Sequence, residues 1–375
     1  MAGIYIHIPF CKQACHYCDF YFSTSQRNKD GVIEAIANEI KLQQDFFDAG
    51  ELVETIYFGG GTPSLLSYFD FQKIVDAIYT NFNVAANIEF TVEANPDDIS
   101  REKLNELKKI GVNRLSIGIQ SFNDDDLETM NRSHNANHAL ACVALANEMG
   151  FNNISIDLMY GLPNQTNELW LENLFIASKL NVQHISCYCL TVEEKTALYK
   201  LIKTNKIADV DENISSVHFT TLMNWASENS FEHYEISNFA REGFRAVHNT
   251  NYWLNKNYLG IGPSAHSYNK NFRQFNIKNN NQYIKNIKNS QVYFEQEYLT
   301  ETQLFNEYIL TNLRTNWGIN IEHIKKNFAN IVLFDFDKKL KIQIEKNWIL
   351  KTSTAYTLTT EGKFFADYIA AELFV

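Results

Sequence analysis

Residues 4–18 read Ile-Tyr-Ile-His-Ile-Pro-Phe-Cys-Lys-Gln-Ala-Cys-His-Tyr-Cys. A short alternating strand runs into a loop that carries Cys11, Cys15 and Cys18 at the spacing C-x3-C-x2-C. Zinc asks for four tetrahedral ligands and commonly takes them as two separated pairs, whereas a [4Fe-4S] cubane can be held at three of its irons by one wrapped loop. The fourth iron is then open to chelate an amino and a carboxylate group. The remaining thiols have a simpler reading. Cys142 falls in an apolar helical stretch and Cys187 and Cys189 on one face of a strand, where packing accounts for them. Six cysteines in 375 residues are too sparse for a disulfide scaffold.

Outward from this loop, β-branched or aromatic runs recur at 4–8, 55–58, 88–92, 114–118, 154–158 and 184–188, each followed by a helical stretch. Val32, Ile33, Ile36 and Ile40 have helical spacing after the first run, as do Leu104, Leu107 and Ile110 after the third. Gly111 and Gly150 stand where helix C-termini favour glycine. Six β/α units imply an α/β fold with parallel strands and right-handed crossovers, either an open doubly wound sheet or a complete or partial barrel. In both, ligand chemistry belongs at the C-terminal ends of the strands.

Those ends are polar. The second run closes in Tyr57-Phe58-Gly59-Gly60-Gly61-Thr62-Pro63, where glycines let backbone approach a ligand and donate N–H groups. Glu93, Gln120 and Asp157 follow on the next three strands. Helix capping explains any one of them, but not three in register on one rim. Arg132, in Met130-Asn131-Arg132-Ser133, reads in isolation as a solvated charge.

The net charge of −11 repels phosphate backbones and argues against a bulk nucleic-acid binder. No apolar run reaches the roughly 20 residues of a spanning helix, and the first ten residues lack a signal peptide's pattern, so a cytoplasmic protein is expected. After residue 230 an aromatic and Gly-rich stretch passes through His248 to His266, followed by an Asn/Lys-rich surface connector at 269–289. From Glu301 an α-rich, winged-helix-like tail is expected, with Leu304, Tyr308, Leu310 and Leu313 at helical spacing, then a segment at 319–328, a hairpin across 340–350 and Tyr356, and a last helix from Glu361. Lysines crowd that hairpin at 338, 339, 341, 346 and 351, but Asp335, Asp337 and Glu345 are interleaved and weaken a nucleic-acid reading. The expected domains are 1–230, a barrel; 231–290, a barrel-completing region and connector; and 291–375, a helical tail.

Cys11, Cys15 and Cys18 after a first strand and before β/α units resemble the radical S-adenosylmethionine superfamily. The set Tyr-x-His-Ile-Pro-Phe-Cys, GGGTP, Glu93, Gly-Ile-Gln-Ser-Phe, Asn-Arg and Ile-Asp-Leu-Met-Tyr-Gly-Leu-Pro resembles one branch, the oxygen-independent coproporphyrinogen III oxidases and HemW-type heme chaperones. The likeness covers most of residues 3–270 and, more loosely, the tail. It implies a partial (β/α)6 TIM-like barrel with a helical C-terminal domain and a [4Fe-4S] cluster on the three cysteines. It also implies S-adenosylmethionine at Tyr5, Tyr17, Gly60, Gly61, Thr62, Glu93, Gln120, Arg132 and Asp157.

Within the branch the oxidases continue the motif to a fourth cysteine, where this chain has Phe20, and carry an N-terminal extension, whereas ten residues precede Cys11 here. Both departures favour the chaperones. His248-Asn249-Thr250-Asn251-Tyr252-Trp253 matches their HNxxYW signature, which the resemblance associates with heme. His248 could ligate heme iron, or the motif could be a packed cluster closing the barrel; His266, His7 and a thiolate are further ligand candidates. The implied partners are heme, heme-accepting proteins, a low-potential electron donor and transient membrane-protein contacts. The alternative is radical oxidative decarboxylation of two coproporphyrinogen III propionates to vinyl groups.

Overall fold

The computed structural model describes residues 2–291, 294–328 and 333–375. Six parallel strands stand in chain order: β1 (Ala2–Ile8), β2 (Val53–Gly60), β3 (Val84–Ala94), β4 (Arg114–Gln120), β5 (Ile154–Tyr160) and β6 (His184–Cys189). Between them lie α1 (Lys29–Leu42), α2 (Tyr68–Asn81), α3 (Arg101–Lys109), α4 (Asp124–Thr129), α5 (Ala136–Glu148) and α6 (Asn167–Lys179). Short polar residues start the helices. Ser67 forms a capping box with Asp70, and the Ser100, Asn135 and Thr166 side chains each accept an N–H from the first turn. Gly111 and Gly150 end α3 and α5 with φ of +95° and +77°.

The strands alternate. Ile4, Ile6 and Ile8 are buried on the outer face of β1, as are Leu115, Ile117 and Ile119 on β4, and all belong to one apolar core with α1, α2, α5 and α6. The intervening residues turn inward: Tyr5 and His7, Tyr57, Thr91 and Glu93, Arg114 and Ser116, Asp157, Ser186. A parallel sheet covered by helices on both faces has near-continuous apolar strands, so this alternation marks one face as the lining of a polar lumen. The fold is a partial barrel.

After β6 come α7 (Ala197–Lys203) and α8 (Glu212–Glu228), then β7 (Glu232–Glu235) and β8 (Asn238–Ala240), which extend the β6 edge antiparallel. Helix α9 (Val247–Trp253) crosses to the other edge, where β9 (Asn257–Ile261) pairs parallel with β1. There β10 (His266–Asn269), β11 (Phe272–Asn276) and β12 (Phe294–Tyr298) continue antiparallel, with α10 (Asn280–Lys288) between the last two. Among the described residues this makes one 12-stranded sheet, β12-β11-β10-β9-β1-β2-β3-β4-β5-β6-β8-β7, whose ends do not join.

The segment 269–289 is therefore not a surface connector. Tyr283 and Ile287, four apart on α10, are buried against α1, and the fully buried Glu39 of α1 fastens the region. Its carboxylate accepts from the Gly262 N–H (2.8 Å), the Asn276 amide (2.7 Å) and the Tyr283 hydroxyl (2.5 Å). Burial lifts the Glu39 pKa to about 7, against the three donors that favour its charge. A carboxyl raised in the folded state stabilises fully below its ordinary value of 4.5, and that contribution is lost as pH rises through about 7. Glu39→Gln is expected to flatten the stability profile in that window by at most about 1.4 kcal/mol per pH unit, read from urea midpoints of variant and parent.

The tail has its own apolar cluster around Phe305, Ile309, Leu313, Phe336, Leu340 and Ile369. Its order is α11 (Glu301–Leu313), β13 (Ile319–Asn320), α12 (Ile321–Asn327), α13 (Leu333–Glu345), β14 (Ile349–Lys351), β15 (Ala355–Leu358) and α14 (Ala366–Leu373). Strands β13, β15 and β14 form a small antiparallel sheet, a winged-helix-like arrangement. The hairpin begins later than the sequence suggests. Residues 340–345 close α13, with Phe336 and Leu340 buried at helical spacing and Ile342 exposed. Among the described residues no helix is long and apolar enough to cross a membrane.

Candidate functional site

The loop after β1 is held at both ends. Phe10 and Ser23 form a bridge, with the Ser23 N–H donating to the Pro9 carbonyl at 2.9 Å and the Cys11 N–H to the Ser23 carbonyl at 3.1 Å. Its tip docks on the turn after α4: the His16 N–H donates to the Met130 carbonyl, the His16 ring meets the Thr129 carbonyl at 2.9 Å, and the Asn131 amide donates to the Ala14 carbonyl at 2.7 Å. Asn131 adopts φ +57° to make this turn. Cys11, Cys15 and Cys18 are free thiols, partly exposed on one loop.

Arg132, which reads alone as a surface charge, instead links the loop to the barrel. Its guanidinium donates to Cys15 Sγ (3.2 Å), the Tyr17 hydroxyl (3.3 Å), Asn95 Oδ1 (2.9 Å) and the Gly118 carbonyl (2.6 Å), while Nε is buried without a partner among the described residues. Thr62 bonds the Cys11 thiol. Burial pushes Cys11 and Cys18 up to about 11, so both are protonated at neutral pH until a cation displaces the protons. The donors suit a cubane held from one loop: three thiols, with a guanidinium to balance the charge of a thiolate-ligated cluster. No trio of Cys, His, Asp or Glu among the described residues is gathered for a single metal ion.

The glycine turn is spent on protein contacts. The N–H groups of Gly60, Gly61 and Thr62 donate to Glu93 Oε2 (3.1 Å), the Ile8 carbonyl (2.8 Å) and the Phe10 carbonyl (2.7 Å). They are not donors awaiting a ligand, as the sequence suggests. A Cβ on Gly61 would lie 2.5 Å from the Phe10 carbonyl oxygen, so the glycine is required by the backbone of the cysteine loop.

Glu93 also accepts from the Tyr57 hydroxyl at 2.8 Å. Asp157 does not sit at a strand end: it is mid-strand in β5, paired in register with Gly118 and Ser186, deeper in the lumen. Both carboxyls are surrounded by protein, and burial raises Glu93 to about 7 and Asp157 to about 6. Arg114 shares the lumen, 1% exposed, with Nε and Nη1 unpaired among the described residues. Arg114 and Tyr57 escape a reading confined to strand ends; period-two counting along β2 and β4 finds them.

Gln120 has φ +70° at a bulge in the β4–β5 pairing, a conformation uncommon for a side chain of this kind. The Gln120 amide and the Arg132 guanidinium both lie over Gly118, 3.0 and 3.3 Å from where a Cβ would stand. Gln120→Gly is expected to shift folding stability by no more than about 1 kcal/mol, relief of φ offsetting lost contacts. S-adenosylmethionine affinity is expected to fall up to about tenfold, as loss of a neutral hydrogen bond allows, read by calorimetry.

Tyr5 links this rim to α9. Its ring lies 6.0 Å from Tyr57 and 6.4 Å from His248, and its hydroxyl meets His7 Nδ1 at 3.2 Å. His248 is buried, stacked on Tyr57 at 5.0 Å, with Nδ1 2.7 Å from the Thr55 hydroxyl and Nε2 2.8 Å from the Tyr252 hydroxyl. Both ring nitrogens are thus engaged, and burial holds the imidazole down to about 3. Thr55 belongs to the N-terminal half of β2, so His248 closes the barrel opposite the cysteine loop. A hollow of about 390 Å³ lies between, bounded by Tyr57, Glu93, Tyr188, His248, Trp253 and Arg314 among others. Of the other cysteines, Cys142 and Cys187 are buried, whereas Cys189 is exposed at the end of β6.

Residues 5–174 match the Radical SAM superfamily. The HemN coproporphyrinogen III oxidase of Escherichia coli, a radical SAM enzyme, superposes with a TM-score of 0.87 over 100% of this chain and 90% of that one, at 22% identity, a likeness of fold. Fold and thiol loop together define a radical SAM protein, a class that implies a [4Fe-4S] cluster and S-adenosylmethionine. The chain is 36% identical to the heme chaperone HemW of Bacillus subtilis over 98% of both chains. To the heme chaperone HemW of Lactococcus lactis it is 33% identical, over 86% of this chain and 84% of that one. The chain belongs to the HemW heme-chaperone family.

Proposed function

We propose that this protein is a cytoplasmic heme chaperone that binds heme, carries a [4Fe-4S] cluster and S-adenosylmethionine, and passes heme to acceptor hemoproteins. The observation that carries the reading is the shared lumen: Tyr5, Tyr57 and Glu93, from the rim of the barrel, and His248, Tyr252 and Trp253, from α9, bound one hollow. Full-length identity of 30–36% to proteins named heme chaperones supports it. So does Phe20, 70% exposed beside the cysteine loop where the oxidase motif has its fourth cysteine. A reducing compartment suits three free thiols on one loop.

Cys11, Cys15 and Cys18 would hold the cluster, and Tyr5, Tyr17, Gly60, Gly61, Thr62, Glu93, Gln120, Arg132 and Asp157 would surround S-adenosylmethionine. When bound, the pair supplies one-electron chemistry driven by a low-potential donor. The chain's own part is electrostatic. Arg132 balances thiolate charge at Cys15 and bonds the Tyr17 hydroxyl, while Glu93 and Asp157 set two carboxylates against a cationic sulfonium.

The test is heme titration and product analysis on anaerobically cluster-loaded protein. Uptake of one heme per chain without turnover is expected. Vinyl product from coproporphyrinogen III would overturn the reading in favour of an oxidase.

A further inference from the structure

A second and larger hollow, about 540 Å³, lies on the far side of Tyr5, Tyr252 and Trp253 from the lumen. Its walls are the cysteine loop at Asp19 to Tyr21, the strands β9 to β11, and α11 at Glu307 and Thr311. The volume is within the range of cofactor pockets, and the lining is unusually aromatic, with Phe20, Tyr252, Trp253, Tyr258 and Tyr268 all facing it.

Three imidazoles are within reach of heme in this half of the molecule, and they differ in what their nitrogens already do. Both nitrogens of His248 are bonded, and so are those of His7, to the Tyr5 hydroxyl and to the Tyr21 carbonyl at 3.1 Å. His266 lines the larger hollow, is exposed to it, packs edge-on against Phe275 at 4.8 Å, and makes no side-chain hydrogen bond among the described residues. Its main chain is fixed: a Cβ on Gly260 would stand 2.0 Å from the His266 carbonyl oxygen, so β9 grips β10 at that residue. Burial first, then the charges of Lys278 and Arg273, keep the ring below its ordinary pKa and so neutral, the ligating form.

The same two cations supply the other half of a heme site. Lys278 is exposed at the wall and forms no ion pair among the described residues. Arg273 pairs with Glu307 at 2.8 Å through Nη2, which leaves further N–H donors of the guanidinium for an anion. Asp19 and Glu307 also line the hollow, so the cations are matched and a dianionic ligand must compete for Arg273.

We propose that heme binds in this second hollow, with a His266 nitrogen as axial ligand to the iron, the aromatic wall against the macrocycle, and Lys278 and Arg273 on the propionates. The bond formed is a lone-pair donation from neutral imidazole into an open axial position; no electron or proton changes hands. The assignment rests on the heme-chaperone reading and places the ligand on β10, not on α9.

Hemin is titrated into the full-length protein and the Soret band and low-temperature electron paramagnetic resonance are followed. In His266→Ala, heme affinity is expected to fall at least about tenfold and the histidine-ligated spectrum to disappear, both recovering with added imidazole. Lys278→Gln is expected to weaken hemin severalfold while leaving the dimethyl ester of heme unaffected. Far-UV circular dichroism confirms that each variant is folded. Hemin binding by the parent with an unchanged spectrum and affinity in His266→Ala overturns the site while the chaperone reading stands. No hemin binding by the parent overturns that reading itself.

Discussion

Cys15→Ala is expected to yield a folded protein that no longer assembles iron and inorganic sulfide, with S-adenosylmethionine binding lost alongside. The argument has two halves. A cubane held by one loop has three protein ligands, and removing one leaves an edge of the cluster to solvent and to added thiols. The loop itself does not depend on the thiol. Ser23 on Pro9, His16 on Met130 and Thr129, and Asn131 on Ala14 use backbone, imidazole or amide groups and no thiol, and Arg132 keeps Asn95 and Gly118 after losing Cys15. Folding stability of the metal-free variant is therefore expected within about 1 kcal/mol of the parent, as for surface substitutions that break no packing. Iron and acid-labile sulfide are assayed after anaerobic reconstitution. The same assay on Cys142→Ala, where the thiol is buried in α5 and donates to the Ala139 carbonyl at 3.1 Å, is expected to show a full complement. A normal iron and sulfide content in Cys15→Ala would remove the basis of the cluster assignment.

The cysteine loop and the six strands are legible because each is local: a ligand spacing within one loop, and a period-two alternation within each strand. What escapes is what needs two segments at once. Arg132 reads as solvated because nothing in Asn-Arg-Ser announces that Cys15, Asn95 and Gly118 will converge on its side chain. The segment 269–289 reads as a connector because asparagine and lysine dominate it, yet burying Tyr283 and Ile287 suffices to dock α10 on α1. Residues 340–350 read as a hairpin because Leu340, Ile342 and Ile344 alternate; Phe336, in helical register with Leu340, decides the other way. The loss of the glycine N–H groups to Ile8, Phe10 and Glu93 is likewise a tertiary fact. Period two carried further information. Alternation in parallel strands already implies a lumen, which an open sheet with helices on both faces would not have.

The second large effect is expected at Glu93. In the unliganded protein burial holds its carboxyl near 7 and that of Asp157 near 6, so at pH 6 much of the negative charge that would face a sulfonium is absent. A cationic ligand favours the ionised forms, so S-adenosylmethionine affinity is expected to rise with pH through this interval, approaching about tenfold per unit below the higher value. Glu93→Gln keeps the side-chain volume and an acceptor for Tyr57 or Gly60 but removes the charge; affinity at pH 8 should drop about 10- to 100-fold, the scale of a charge-assisted bond. The upper part of the pH dependence should vanish with it, leaving the step from Asp157. Stability should move the opposite way. A raised carboxyl stabilises the fold below its ordinary value of 4.5 and ceases to as pH climbs through about 7. Glu93→Gln should therefore match the parent's stability in acid and equal or exceed it above neutrality. Calorimetric titration and thermal melts from pH 5.5 to 8 separate the two trends. Affinity that is flat with pH in the parent, or a variant that loses stability and ligand together, would mean that Glu93 holds Tyr57 and Gly60 in place and does no more.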